Sequence, residues 1–218
     1  MPEFEFNVTV KNVSGKSRKF CMYQTYPSAK LQSLAWFTKT VHDKSGLRTL
    51  DSADFRWNEV FSFVWAETGK LNEQVHFDAH GEWPADPAAK KTSSTKTTGG
   101  NQIFFTKEDA AYTFDSMQKP TDEATNTLTI HTGNPVDDNQ ASIGLGMYGS
   151  PVFAAQAEAN QHYRFQLKPT YWLVASTAQE GDAVSLNVES DPLKLDFSKS
   201  SHATVTFDSK NKLTQVPN

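Results

Sequence analysis

The chain has 218 residues, of which 37% are hydrophobic and 12% aromatic, and its formal net charge is −4. The slightly acidic balance offers no broad positive field for a phosphate backbone, which argues against nucleic acid as a partner. No apolar run approaches the roughly 20 residues that a membrane-spanning helix needs, so we expect a water-soluble globule.

Apolar and polar residues alternate along almost the whole chain, beginning at residues 4–11. A period of two is typical of a strand with one face in a core and the other in water. The pattern predicts about sixteen strands, in chain order at 3–11, 18–25, 33–40, 55–57, 61–65, 75–79, 102–106, 111–114, 127–131, 141–147, 152–157, 163–167, 171–176, 184–188, 193–197 and 204–207.

Closely spaced strands separated by turn signals are typical of a sandwich or barrel. The sequence therefore predicts an all-β fold, namely a two-sheet antiparallel β-sandwich of jelly-roll or immunoglobulin-like style with little helix. All-β folds of this length often form one domain, so we expect a single domain over residues 1–218.

One long irregular stretch interrupts the strands at residues 83–101. It begins with Trp83-Pro84, continues through a polar and locally basic segment, and ends in Gly99-Gly100. A loop of this length in a compact domain is usually functional or disordered. We favour a mobile hairpin tip over a domain boundary, because the strands on both sides share one style.

Catalytic motifs are absent from the sequence. Residues 144–149 contain glycines in a spacing that superficially resembles a dinucleotide loop, but no helix or βαβ unit follows. Gly144 and Gly146 are better explained by close approach of the backbone or by a bulge. No Gly-x-Ser-x-Gly elbow exists, and nothing singles out a pair of carboxylates. We therefore predict no catalytic residues, no cofactor and no enzymatic activity.

Metal binding is also disfavoured. His76, Asp78 and His80 would share one face of a strand at 75–79, but successive residues on that face are nearly 7 Å apart. A solvent-facing role is the better interpretation. The oxygen-rich segment 137–139 could in principle hold calcium, but it lacks the ordered ligand spacing of an EF-hand. We interpret it as an acidic turn and predict no metal site.

Cys21 is the only cysteine, so an internal disulfide cannot form. It lies between Phe20 and Met22 and is expected to be a small buried strand residue rather than a reactive thiol. The opening residues Met1 to Phe4 show no basic region followed by an apolar stretch. The expected location is therefore the cytoplasm, with export without a cleaved signal left open.

Aromatic residues provide the better functional candidates. Most tryptophans lie inside predicted strands and are expected to be core residues. Trp83, at the start of the long loop, and Tyr148, at a turn, could instead be exposed and contact a ligand such as a sugar ring. These two are the candidate ligand-binding residues, and core or loop-anchoring roles are the alternative for each.

Several segments resemble the RhiA-type family of rhizosphere-expressed proteins. They read FNVTVKN at 6–12, FCMYQT at 20–25, LAWF at 34–37, FSFVWAETG at 61–69, SIGLGM at 142–147 and PTYW at 169–172. The similarity spans roughly residues 4–190, and the stretch 88–100 is longer than we expect for the family. The resemblance implies a small bacterial or fungal protein, linked in some hosts to quorum-regulated expression and life beside plants. It supplies no active-site motif.

Three functional hypotheses follow. The first is a non-enzymatic structural or interaction protein that self-associates or binds another protein, because a fold with many strands has sheet edges that can pair between copies. The second is a carbohydrate-binding module that uses Trp83 and neighbouring loops. The third is a hydrolase with an unrecognised carboxylate pair.

Overall fold

The computed structural model describes residues 6–26, 31–42, 52–89, 100–115, 126–184 and 189–217. These ranges contain seventeen strands and no helix, so the predicted all-β fold is confirmed. In chain order the strands are β1 (Phe6–Asn12), β2 (Arg18–Thr25), β3 (Gln32–Ser33), β4 (Phe37–Val41), β5 (Ser52–Trp57), β6 (Phe61–Ala66), β7 (Gly81–Ala85), β8 (Gln102–Glu108), β9 (Ala111–Asp115), β10 (Thr127–Thr132), β11 (Ser142–Met147), β12 (Ser150–Gln156), β13 (His162–Gln166), β14 (Thr170–Ala175), β15 (Leu193–Lys194), β16 (His202–Phe207) and β17 (Leu213–Val216).

The described strands form four sheets in a sandwich-like arrangement. Their strand orders are β17-β16-β1-β5 (sheet I), β13-β10-β8-β9 (sheet II), β3-β12-β11-β6-β7 (sheet III) and β15-β14-β2-β4 (sheet IV). Two pairs, β1/β16 and β8/β10, are parallel, whereas the prediction had two antiparallel sheets. A period of two reports which face a side chain occupies. It carries no information on the direction of the neighbouring strand.

The core is built from the buried faces of all four sheets, whose apolar side chains form one large cluster, with two smaller clusters beside it. Ring contacts join the sheets: Phe20 of sheet IV meets Phe207 of sheet I with centroids 5.2 Å apart. Phe63 of sheet III meets Phe114 of sheet II at 6.4 Å. Because each large apolar side chain contributes about 1.5–3 kcal/mol on full burial, these contacts hold the sheets together. The single-domain assignment stays a prediction.

The region around β7 differs from the prediction. The strand expected at 75–79 is wrong, because only His76 forms an isolated bridge there, to Asp182. A strand forms instead at Gly81–Ala85 and covers the first residues of the predicted loop 83–101. Pro84 is compatible with this position because β7 is an edge strand, where a missing N–H costs no ladder hydrogen bond.

The base of the predicted loop is closed. The N–H of Asp86 donates to the carbonyl of Gly100 at 3.0 Å, and Ala85 bridges to the same glycine. Residues 90–99, which include most of the predicted hairpin tip, lie outside the described residues. Residues 1–5 and 185–188 also lie outside the described residues. The start of the strand predicted at 3–11 and most of the strand predicted at 184–188 therefore fall outside these ranges.

Gly144 has the packing role that the sequence predicted. A Cβ atom at this position would lie 1.8 Å from the carbonyl oxygen of Phe153, in the adjacent strand β12. The β11/β12 register also shifts between Leu145 and Gly146, which marks a β-bulge. Close backbone approach and a bulge therefore explain these glycines.

Candidate functional site

Trp83 lies in β7 rather than in a loop. It is paired with Phe63 of the neighbouring strand, is half-buried, and packs against the hydrophobic core. The indole therefore serves mainly to cover the core at the edge of sheet III, and its exposed part is smaller than the sequence suggested.

Tyr148 lies at the tight turn between β11 and β12, where the sequence placed it. Its side chain is 48% exposed, and its backbone φ is +53°, followed by +80° at Gly149. Two successive positive φ values are typical of the type I′ hairpin turn, whose first position favours Asn, Asp or Gly. A tyrosine there adopts an uncommon backbone conformation and presents its ring to solvent, a combination that is enriched at functional positions.

The surface around Tyr148 is partly apolar. The Tyr148 ring meets Phe37 edge to face, with centroids 6.4 Å apart. The backbone N–H of Tyr148 donates to the carbonyl of Val60, a residue that is 63% exposed. The neighbouring carboxylate of Glu59 accepts a hydrogen bond from the Tyr171 hydroxyl at 2.9 Å. We call Phe37, Glu59, Val60 and Tyr148 the Tyr148 patch.

A cleft of about 380 Å³ with a mixed polar and apolar lining lies between β13 and the end of β12. The polar residues among those that line it are Gln156, Glu158, Gln161, His162, Tyr163 and Arg164. We call this feature the β13 cleft. Its volume lies within the roughly 300–1,000 Å³ that is typical of small-molecule sites.

The Tyr163 hydroxyl fixes one end of the β13 cleft. It donates to the carbonyl of Gln156 at 2.8 Å and accepts from the N–H of Glu158 at 3.0 Å. Burial is the main cause that raises the pKa of Tyr163, so this hydroxyl stays protonated at neutral pH. The cleft wall is therefore held by hydrogen bonds and does not depend on a ligand.

The backbone of β13 alternates between two kinds of pairing with β10. The N–H of Thr132 donates to the carbonyl of Gln161 at 3.0 Å, and the N–H of Leu167 donates to that of Asn126 at 2.8 Å. In an antiparallel pair, hydrogen-bonded and non-hydrogen-bonded positions alternate. Residues 162, 164 and 166 therefore direct their N–H and C=O groups away from β10.

The outward edge of β13 is only partly covered. The N–H of Gln166 donates to the Tyr26 hydroxyl. Within the described ranges, no residue bonds the outward backbone groups of His162 and Arg164. These groups lie along the β13 cleft and offer unpaired donors and acceptors to another chain.

The outer face of sheet II carries a row of ring side chains. In the strand registers His131 lies directly between Phe104 of β8 and His162 of β13. The Phe104 and His131 rings are nearly parallel with centroids 6.5 Å apart, and the two imidazoles are 4.2 Å apart. Phe104 is 42% exposed. Burial, followed by the neighbouring His162, lowers the pKa of His131, so its ring is neutral at pH 7.

His76 and His80, for which the sequence disfavoured metal binding, each have a hydrogen-bond partner. His76 Nδ1 is 2.8 Å from the Asp182 carboxylate, and His80 Nδ1 accepts from the N–H of Glu67 at 3.3 Å. Across the described ranges, no group of three or more His, Cys, Asp or Glu residues could hold a metal ion.

The acidic segment 137–139 is a turn tied to the adjacent sheet. Asp137 accepts from the ammonium of Lys107 at 2.6 Å and from the hydroxyl of Tyr112 at 3.0 Å. These hydrogen bonds lower the pKa of Asp137 and raise that of Lys107. Because both partners come from sheet II, the carboxylate secures the turn to β8 and β9.

Cys21 is buried and forms no disulfide. Burial is the largest of the causes that raise its pKa to about 12, and Glu180 adds to it. The nucleophilic thiolate is therefore disfavoured, as expected for a structural cysteine.

Sequence reasoning did not identify the β13 cleft or the ring row. Glu158, His162 and Arg164 lie close together in the sequence, but Phe104 and His131 come from other strands. The histidines have no motif spacing, and only the parallel β8/β10 pairing brings Phe104 beside them.

These features describe an all-β protein with an open cleft at a sheet edge, and the described residues include no helix long and apolar enough to span a membrane. The chain belongs to the RhiA family, whose sequence model matches residues 4–217. It is 29% identical over 176 residues to Protein RhiA of Rhizobium leguminosarum bv. viciae, covering 79% of this chain and 68% of that protein. No solved structure matches significantly.

Proposed function

We propose that this protein is a non-enzymatic interaction protein whose copies associate through the open edge of β13. The observation that carries the proposal is the pair of unbonded backbone positions, His162 and Arg164, along the β13 cleft. An exposed row of N–H and C=O groups is a template for pairing with another strand.

Three other sheet edges, at β7, β5 and β17, carry features that hinder strand pairing, which favours β13 over them. The edge strand β7 contains Pro84, which cannot donate. At β5 the ammonium of Lys39 covers the backbone carbonyl of Asp54. The side chain of Gln215 in β17 bonds both the N–H and the carbonyl of Asp196, at 2.9 and 2.8 Å.

The charges of the cleft are compatible with symmetric pairing. Arg164 and Glu158 have opposite charge and both line the β13 cleft. A two-fold pair contacts the same patch on both copies, so this pairing would not bring only like charges together.

The absence of enzymatic activity is part of the proposal. Glu158 is the one carboxylate among the described lining residues of the β13 cleft, whereas glycoside hydrolysis ordinarily needs two on opposite sides of the bond. The buried thiol of Cys21 is unsuited to nucleophilic attack.

The test uses proline as a backbone probe. Arg164→Pro removes one outward N–H without removing a hydrogen bond to β10, and Arg164→Ala is the matched control that keeps the N–H. We expect sedimentation velocity over a range of protein concentration to show association of the wild type and Arg164→Ala, and a monomeric Arg164→Pro. Circular dichroism checks that both variants retain the β fold. A wild type that is monomeric throughout, or equal association of Arg164→Pro, would refute the proposal.

Carbohydrate binding is a second candidate function, favoured by the exposed and strained Tyr148. An aromatic ring on an exposed turn can stack on a sugar ring, and the Glu59 carboxylate in the Tyr148 patch can accept hydrogen bonds from hydroxyl groups. Trp83 is less suited because it packs on the core.

The test of this candidate separates the ring from the turn. Tyr148→Asn introduces a residue preferred at this position of a type I′ turn, so the hairpin should be retained while the ring is lost. We expect the wild type and Tyr148→Phe to bind on a glycan array and Tyr148→Asn to lose the signal. Absence of any wild-type signal, or full binding by Tyr148→Asn, would remove the candidate.

A further inference from the structure

We infer that the outer face of sheet II and the adjoining β13 cleft together bind an acidic saccharide, a sugar chain that carries carboxylate groups. The inference rests on the carbohydrate-binding candidate above, but it places the site on different residues and specifies the ligand class. Its central elements are the ring row Phe104–His131–His162 and the guanidinium of Arg164.

The ring row provides a stacking platform. The cross-strand registers place Phe104, His131 and His162 side by side on the outer face, and Phe104 is 42% exposed. The Phe104 and His131 rings are nearly parallel, and the His162 imidazole meets His131 edge to face, so the row offers aromatic faces on which a sugar ring can stack. The platform spans three strands about 4.8 Å apart, which suits more than one sugar ring.

Arg164 provides a cation at the edge of this platform. Of the three arginines in the described ranges, Arg18 pairs with Glu189 and Arg56 pairs with Asp54, whereas Arg164 has no carboxylate partner. It lies two residues from His162 on the same strand, and its side chain is therefore on the same face. A planar guanidinium matches a carboxylate with two parallel hydrogen bonds.

Glu158 distinguishes a saccharide from a simple anion. This carboxylate lines the same cleft as Arg164 and would repel any anionic group placed beside it, and sulfate or fully ionised phosphate has no hydroxyl donors of its own to offset that repulsion. Glu158 would, however, accept hydrogen bonds from hydroxyl groups, and the amide of Gln161 can both donate and accept. A ligand with hydroxyl donors and a carboxylate satisfies both Glu158 and Arg164.

The size and charge of the surroundings agree with this ligand class. The cleft of about 380 Å³ has room for a small-molecule ligand. The lining is mixed, with polar and apolar surface in similar amounts, as the hydroxyl groups and C–H faces of a sugar require, and the net charge of −4 gives no general attraction for polyanions. Selectivity for an acidic sugar would thus come from Arg164 itself.

The experiment compares one oligosaccharide in two forms. Isothermal titration calorimetry measures binding of a uronic acid oligomer and of the same oligomer with its carboxyl groups methyl-esterified. We expect the wild type to bind the acid form at least about tenfold more tightly. Arg164→Gln should lose this preference, Phe104→Ala should weaken both forms, and the matched control Arg56→Gln should behave like the wild type.

The outcomes separate this inference from the functions proposed above. Equal binding of both forms by the wild type, or an unchanged preference in Arg164→Gln, overturns the acidic-saccharide site. If glycans bind and only Tyr148→Asn abolishes binding, the carbohydrate candidate stands and this site is wrong. If no saccharide binds, both fail. Circular dichroism and the association state of Arg164→Gln show whether a loss reflects the ligand contact alone.

Discussion

Replacing Gly144 by alanine tests how tightly β11 and β12 approach each other. An added Cβ would lie 1.8 Å from the carbonyl oxygen of Phe153 and 2.9 Å from its carbonyl carbon. Real Cβ atoms keep at least 3.0 Å from such neighbours, so the two strands would have to separate locally by about 1.2 Å. The obstacle is backbone in the middle of a five-stranded sheet, which cannot rotate away as a side chain can.

The expected cost is large. Overpacking a well-packed core costs typically about 1–3 kcal/mol and occasionally more, and this clash is with a ladder carbonyl. We therefore expect Gly144→Ala to lower the free energy of unfolding by about 3 kcal/mol or more. With a urea m-value of about 2–3 kcal/mol/M for a chain of this size, the midpoint should fall by at least about 1 M.

Gly146→Ala is the matched control in the same strand. Its Cβ would lie 2.4 Å from Ser62 Oγ, but that hydroxyl is at the end of a side chain that can change rotamer. The loss should therefore be clearly smaller than at Gly144. Urea unfolding followed by tryptophan fluorescence measures both. If the Gly144→Ala midpoint matched the wild type with an unchanged m-value, the close approach of β11 and β12 would be refuted.

Three further predictions concern other parts of the molecule. Because burial raises its pKa to about 12, Cys21 should not react with a disulfide reagent at pH 8 until urea unfolds the chain; stoichiometric reaction of the native protein would contradict this. Burial and the neighbouring His162 lower the folded-state pKa of His131, so the folded protein favours the neutral ring. The stability that depends on this neutral ring is fully present above the unfolded-state pKa and is lost as the pH falls through the folded-state pKa. His131→Gln should weaken the fall in stability between pH 7 and 5, and an unchanged profile would contradict it. Trp83→Ala should cost about 2 kcal/mol in urea unfolding, less than the 3–5 kcal/mol of a fully buried tryptophan, because the indole covers the core only in part; unchanged stability would mean that it does not pack.

The open edge of β13 and the acidic-saccharide site share residues but depend on different atoms. Association is proposed to use the backbone N–H and C=O of Arg164, whereas saccharide binding uses its guanidinium. Arg164→Ala should therefore retain association and lose the preference for acidic saccharides. Arg164→Pro should lose both, so the two variants together assign each property to backbone or side chain.

The sequence predicted much of the candidate turn but little of the candidate site. Tyr148 lies at a tight turn, as the Tyr-Gly pair indicated, because positive φ leaves a local signature in residue types. Trp83 was expected at the start of a loop because Pro84 follows it. The structure has a strand there, since a proline is compatible with an edge position that the sequence alone does not reveal.

Which side chains enter a core is encoded locally, because the two sides of a strand alternate residue by residue. The all-β class, most strand positions, the burial of Cys21 and the packing role of Gly144 could therefore be predicted from the sequence alone. Which strands become neighbours depends on contacts between distant residues, such as the parallel pairing of β1 with β16. Only the tertiary structure could therefore place Phe104, His131 and His162 in one row and leave the edge of β13 open beside Arg164.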